Sequence, residues 1–166
     1  YNVAPLLCAG VVGYRSLKLS GMKNGKILGL YGFGSANHLV IQIAKKMFSK
    51  SKIFVITRNP LERELAKSLG AFWTGDIEDT TPEKIDCAID TTPVWKPVIF
   101  ALKNLQKGGR LVLNLIRKEN FDKNALLNLD YENNLWLEKE IKTVANVTPK
   151  DAEEFFNIKN YMKNCK

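Results

Sequence analysis

No apolar run in this chain approaches the roughly 20 residues that cross a bilayer; the longest, around Ile27 to Phe33 and Leu111 to Ile116, are far shorter. The N-terminus also lacks a charged stretch followed by an apolar one, the mark of an export signal. These absences argue against a membrane partner, and the expected location is the cytoplasm. Cysteine is scarce. Cys8, Cys87 and Cys165 are odd in number and too widely spaced for a C-x-x-C knuckle, so a disulfide framework is not expected and any metal role must draw ligands from elsewhere. The charge is +8, from 25 Lys and Arg against 17 Asp and Glu, yet the basic residues are spread along the chain. No segment interleaves them with aromatics, so nucleic acid is not an expected partner, and the phosphates of a small cofactor suffice.

What is present is an ordinary globular composition: 166 residues, 45% hydrophobic and 25% charged, enough for one domain with short flanking segments. The chain opens at Tyr1 rather than Met, which raises the expectation that it was processed, engineered or taken from a longer product. Lys26 to Tyr31 is a short apolar run that the glycines of Gly32-Phe33-Gly34 stop, as in a buried parallel strand. Leu39, Val40, Ile43, Ala44 and Met47 then follow helical spacing. Lys52 to Thr57 repeats the strand signal, and Asn59 as N-cap with Pro60 at the first helical position opens a second helix that Gly70 closes. Leu61, Leu65 and Leu69 form its apolar stripe.

Further strands are expected at Ala71 to Thr74, Ile85 to Asp90 and Arg110 to Leu115, with a helix through Pro97 to Leu105 ended by Lys107-Gly108-Gly109. Residues 117 to 134 read as a loop, Glu140 to Val147 as an outer strand, and Pro149 starts a last helix. Such alternation predicts an α/β fold, a Rossmann-type doubly wound parallel sheet. The expected layout is a linking helix in 1–24, a cofactor-binding domain in 25–148 and a C-terminal helix in 149–166.

The turn Gly32-Phe33-Gly34-Ser35-Ala36-Asn37 follows a strand and opens a helix, the setting in which G-x-G-x-x-G cradles a pyrophosphate; Asn37 stands in the third glycine position. A plain glycine turn is the bland alternative. His38, the only histidine, reads first as a helix-start residue making a local hydrogen bond. At the end of the second strand, where an acid would bind a free ribose 2′-hydroxyl, there is none. Thr57, Arg58 and Asn59, with Arg63 a turn later, offer partners for a 2′-phosphate instead, so NADP is preferred over NAD.

These residues resemble the zinc-dependent alcohol dehydrogenases of the medium-chain dehydrogenase/reductase superfamily. The marks are Ala4-Pro5-Leu6-Leu7-Cys8-Ala9-Gly10 with Gly13-Tyr14-Arg15, Gly29 to Gly34 with His38, and Thr57-Arg58. Leu69-Gly70-Ala71 with Trp73 and Gly75-Asp76, Lys107-Gly108-Gly109 and Val144 to Thr148 complete them. The resemblance implies a cofactor domain cut from most of its catalytic domain, with Cys8 as the family's last catalytic zinc ligand and zinc held only together with the missing part. It also implies hydride transfer between nicotinamide and an alcohol or aldehyde in the full-length enzyme, with this fragment inactive alone and carrying no catalytic residue of its own. By fold analogy Thr91, Thr92 and Asn114, Leu115 and Ile116 lie near the nicotinamide. The family departs here at Asn37, at the bulky 114–116 stretch and at Leu137, where glycine is common. A homodimer through the edge strand 140–147 is implied as well. Two competing readings are a non-catalytic remnant or interaction module with a decayed cofactor cleft, and an S-adenosylmethionine methyltransferase, against which Thr57-Arg58 argues.

Overall fold

The computed structural model describes residues 6–160. A π-helical turn at Leu6–Gly10 runs into α1 (Val11–Leu19), followed by β1 (Ile27–Tyr31), α2 (Ser35–Met47), β2 (Lys52–Ile56), α3 (Pro60–Ser68) and β3 (Trp73–Gly75). The second half is β4 (Ile85–Asp90), α4 (Lys96–Asn104), β5 (Leu105–Leu113), β6 (Glu140–Thr143) and α5 (Pro149–Asn160). All six strands run parallel in the order β3-β2-β1-β4-β5-β6. This is the doubly wound, Rossmann-like α/β sheet, and its strand order reverses between β1 and β4.

Successive strand residues face opposite cores, as a two-residue period requires. Leu28, Leu30, Ile53, Val55 and Ile89 pack with Val11, Tyr14 and Leu17 of α1, Val40 and Ile43 of α2, Ala66 of α3 and Phe155 of α5. Tyr31, Phe54, Ile56 and Ala88 pack on the other face with Val98, Ala101 and Leu102 of α4. With both faces covered, the strands must be apolar throughout, which is why β1 and β2 read as unbroken runs. A Cβ on Gly13 would stand 2.8 Å from Val40 Cγ2, so α1 lies close against α2 because this position carries no side chain.

Several boundaries differ from the sequence reading for local reasons. In α3 only Ala66 is buried; Leu61 and Leu65 are exposed and Leu69 half-buried, so the leucine stripe is not the core face. The expected strand at 71–74 forms two residues later, at Trp73–Gly75. Lys107-Gly108-Gly109 does not end α4, which stops at Asn104; it lies inside β5, whose pairing with β4 shifts register between Ile85 and Cys87. Residues 117–134 contain a 3-10 turn at Lys123–Asn128 and the start of a π-helical turn at Tyr131–Leu135.

β6 is the outer edge, as expected, but it ends at Thr143 rather than 147. The Val144 N–H still bonds Leu113 O at 3.0 Å, closing the last link of the ladder. Leu137 and Glu138, just before β6, both have positive φ (71° and 59°), costly for residues with a Cβ. Behind α5, Asp151 caps the helix through Thr148 and reaches Arg15 and Lys18 of α1. Residues 149–160 therefore belong to the same packed body. No helix among the described residues is long and apolar enough to cross a membrane.

Candidate functional site: the carboxyl ends of the strands

In an open parallel sheet, ligands lie outside the carboxyl ends of the strands at the reversal of strand order. Here that point is the gap between Tyr31 and Asp90, paired neighbours at the ends of β1 and β4. The chain leaves β1 through Gly32, whose φ is +76°. A Cβ there would lie 2.8 Å from Thr92 Cγ2 and 3.1 Å from Thr91 Oγ1, so glycine is required both by conformation and by space. Gly34 differs. Its φ of −75° suits any residue, and nothing in the structure lies within 4 Å of a Cβ built on it. The space above Gly34 is open.

Helix α2 starts at that opening with no side-chain cap on its N-terminus. The neighbouring crossover helices are closed: Asn59 Oδ1 accepts from Leu61 N at 3.0 Å in α3, and Asp122 Oδ2 accepts from Trp95 N and Lys96 N at the start of α4. The first N–H groups of α2 therefore face an open space with the positive end of the helix dipole behind them, a setting for phosphate oxygens. Ser35 is exposed and Ala36 half-buried, while Phe33 packs into the core edge-on to His38, ring centroids 6.1 Å apart.

Asn37 is wholly buried, and its Nδ2 donates to Tyr31 O (3.1 Å), Gly32 O (2.8 Å) and Thr91 Oγ1 (3.2 Å). The amide thus ties β1, the glycine turn and the end of β4 together where a third glycine would leave only close packing. His38 keeps to its backbone: its N–H donates to Gly34 O and its carbonyl accepts from Gln42.

At the end of β2, Thr57 is buried and Arg58 exposed. Among the described residues the Arg58 guanidinium has no ion-pair partner. Arg63 is occupied: it donates to Thr57 O at 2.9 Å and Arg58 O at 3.0 Å, and pairs with Asp76 at 3.1 Å. It holds the turn in shape and faces its own acid. Glu62, which sequence reading passed over, accepts the Thr57 hydroxyl at 2.5 Å.

The ends of β4 and β5 carry Asp90, Thr91, Thr92 and Asn114, with Leu115 and the fully exposed Ile116 just beyond. Asn114 N donates to Asp90 O at 2.8 Å, and Asn114 Nδ2 is covered and without a partner. The Asp90 carboxylate is fully buried and takes Thr92 N (2.9 Å), the Thr92 hydroxyl (2.7 Å) and the Lys118 ammonium. Burial pushes this carboxyl above its usual range, against the pull of Lys118 and Thr92. Lys118 Nζ also donates to Thr92 O and Val94 O, so the segment after β5 is stapled to the β4–α4 loop. Nothing in the sequence around Lys118 announced this pair. A cavity of about 640 Å³ between α4 and the turns at 123–135 includes none of these residues in its lining.

The metal prediction finds no local support geometry. Cys8 is exposed, Cys87 is buried in the sheet, and Cys165 lies outside the described residues. Among the described residues no group of three or more His, Cys, Asp or Glu side chains could hold a metal ion.

No family model matches the chain. It is 39% identical over 157 residues, 95% of its length, to the Mycobacterium tuberculosis protein named Probable alcohol dehydrogenase AdhA, of which it covers 43%. An alcohol dehydrogenase of Geobacillus stearothermophilus is 41% identical over 120 residues, 68% of this chain and 35% of that protein. The chain thus spans less than half the length of these curated relatives. Among solved structures, the Helicobacter pylori CAD complexed with NADP(H) superposes with a TM-score of 0.74 at 26% identity, over 96% of this chain and 45% of that one. The alcohol dehydrogenase of Aeropyrum pernix gives 0.76 at 20% identity, over 97% and 48%.

Proposed function

Since the chain belongs to the zinc-dependent alcohol dehydrogenases of the medium-chain dehydrogenase/reductase superfamily, we propose that residues 25–148 are its NADP(H)-binding domain, with 1–24 the link to a catalytic part and the helix Pro149–Asn160 closing the domain; residues 161–166 of the expected C-terminal helix lie outside the described residues. The observation that carries this is the uncapped start of α2 beside the open space over Gly34. In this reading the pyrophosphate lies on the N–H groups of Ser35 and Ala36, and Asn37 holds the turn rigid beneath it. Thr57 and Arg58 take the 2′-phosphate, with Asn59 and Arg63 shaping the turn. Thr91, Thr92, Asn114 and Leu115 face the nicotinamide, and the unpartnered Asn114 Nδ2 supplies a donor for its carboxamide. A bound nicotinamide supplies the hydride-transfer chemistry; the domain supplies position and field.

The substrate class we assign to the whole enzyme is a small alcohol or aldehyde. The described residues do not fit a zinc ion by themselves, and Cys8 contributes only beside ligands from another part of the enzyme. We also assign a homodimer through the exposed edge β6, whose Ile141 side chain is 46% exposed. The test is calorimetric titration with NADPH and NADH, alongside Gly34→Val. NADPH binding that is tighter than NADH and abolished by the valine, with an unchanged melting curve, is the expected result. Binding of neither cofactor refutes the reading and favours a remnant with a decayed cleft.

A further inference from the structure

The charges at the end of β2 are of both signs. Arg63 is neutralised by Asp76 at 3.1 Å, which leaves Arg58 as the cation available to a ligand. In the first turn of α3, the Glu62 carboxylate accepts the hydroxyl of Thr57 at 2.5 Å, occupying the same hydroxyl that a 2′-phosphate would use. One turn thus carries two guanidinium groups and two carboxylates, of which Arg63 and Asp76 are paired. Glu62 holds this place because it is the third residue of α3, where Asn59 as N-cap and Pro60 fix the first turn and aim the side chain back at Thr57, two residues before the cap.

We propose that Glu62 is a specificity-determining residue: its carboxylate supplies from the helix the acid that the strand end lacks, accepts the ribose 2′-hydroxyl of NADH, and repels the 2′-phosphate of NADPH. The proposal rests on the cofactor reading above. Its physical content is a contest for the Thr57 hydroxyl. A phosphate dianion and a carboxylate cannot both accept that one proton, and like charges so close oppose each other. A neutral ribose hydroxyl instead donates to the carboxylate. The domain therefore keeps affinity for both cofactors, with the NADPH preference that Arg58 confers reduced by Glu62.

The experiment is titration of the wild-type chain, Glu62→Gln and Glu62→Asp with NADPH, NADH and 2′,5′-ADP, each variant first checked by its melting curve. Glutamine keeps the size and removes the charge; aspartate keeps the charge and shortens the reach. Glu62→Gln is expected to tighten NADPH and 2′,5′-ADP by about tenfold and to weaken NADH by a few-fold. Glu62→Asp is expected to shift the NADPH to NADH ratio the same way by a smaller factor. Wild-type binding of 2′,5′-ADP with a ratio that stays within about twofold in Glu62→Gln overturns the role of Glu62 and leaves the cofactor reading intact. Absence of binding of all three ligands to all three proteins overturns both.

Discussion

Removing the Asp151 carboxylate should unfasten α5 from α1 and cost about 3 kcal/mol. The side chain is 1% exposed and accepts four contacts: Thr148 N (2.9 Å), the Thr148 hydroxyl (2.7 Å), Arg15 Nη1 (2.6 Å) and Lys18 Nζ (3.1 Å). Loss of the helix cap costs about 1 kcal/mol. Charge-assisted hydrogen bonds cost about 1.5–3 kcal/mol each when fully buried. Arg15 and Lys18 are 28% and 38% exposed and rehydrate when released, so the two together contribute about 2 kcal/mol. In urea, Asp151→Ala should lower the midpoint with little change in slope, and the melting temperature should fall by roughly 6–12 °C.

The same carboxylate sets an acid limit. Burial pushes its carboxyl up, but the Thr148, Lys18 and Arg15 hydrogen bonds outweigh that and hold it far below the ordinary 3.8. Since the folded state binds the proton less tightly than the unfolded chain, this stabilisation is present in full above 3.8 and is lost as pH falls further. Asp151→Asn should therefore be less stable than wild type at pH 7, and the gap should narrow towards roughly pH 2.5. A cost below about 1 kcal/mol for the alanine, or a gap that stays constant down the acid limb, refutes the reasoning.

Arg58→Asp should abolish or reverse the NADPH preference in the same calorimetric titration, since it puts a repelling charge where the free guanidinium stands. Leu137→Gly should raise stability by about 1 kcal/mol in urea unfolding, because φ of 71° is strained for leucine and free for glycine. For the dimer, the Val144 N–H is not available to a second strand, because it bonds Leu113 O within the chain. Alternation along the strand turns the Thr143 N–H outward instead, so Thr143→Pro should convert a sedimenting dimer to monomer while leaving the melting curve close to wild type.

The strands and crossover helices were legible because a sheet covered on both faces demands apolar runs, and helices between them demand amphipathic spacing. Asn59 with Pro60 and Gly32 spoke through local rules of capping and turn geometry, and the structure places them as read. The leucines of α3 misled, because helical spacing marks an apolar face without saying that the face is covered; the small Ala66 is what lies against the sheet. The end of β6 was overrun since Val144 to Val147 alternates well enough, yet nothing local shows where a neighbour strand stops; β5 ends at Leu113. Glu62 had a signal, its third place after a helix cap. Asp90 with Lys118 had none, for the pair joins positions 28 residues apart through a loop of irregular path.

The way Lys118 is held also decides its chemical character. All three of its ammonium protons are donated, to Asp90, Thr92 O and Val94 O, and its side chain is 9% exposed. An amine becomes a nucleophile only after giving up a proton and turning a lone pair outward, and here either step leaves the buried Asp90 charge uncompensated. A lysine open to a solvent-filled cleft would ordinarily be available to any aldehyde for Schiff-base formation and slow covalent modification. Fastened in this way, Lys118 is chemically mute for as long as the fold stands, and modification by an aldehyde would report the opening of the loop rather than the presence of the amine.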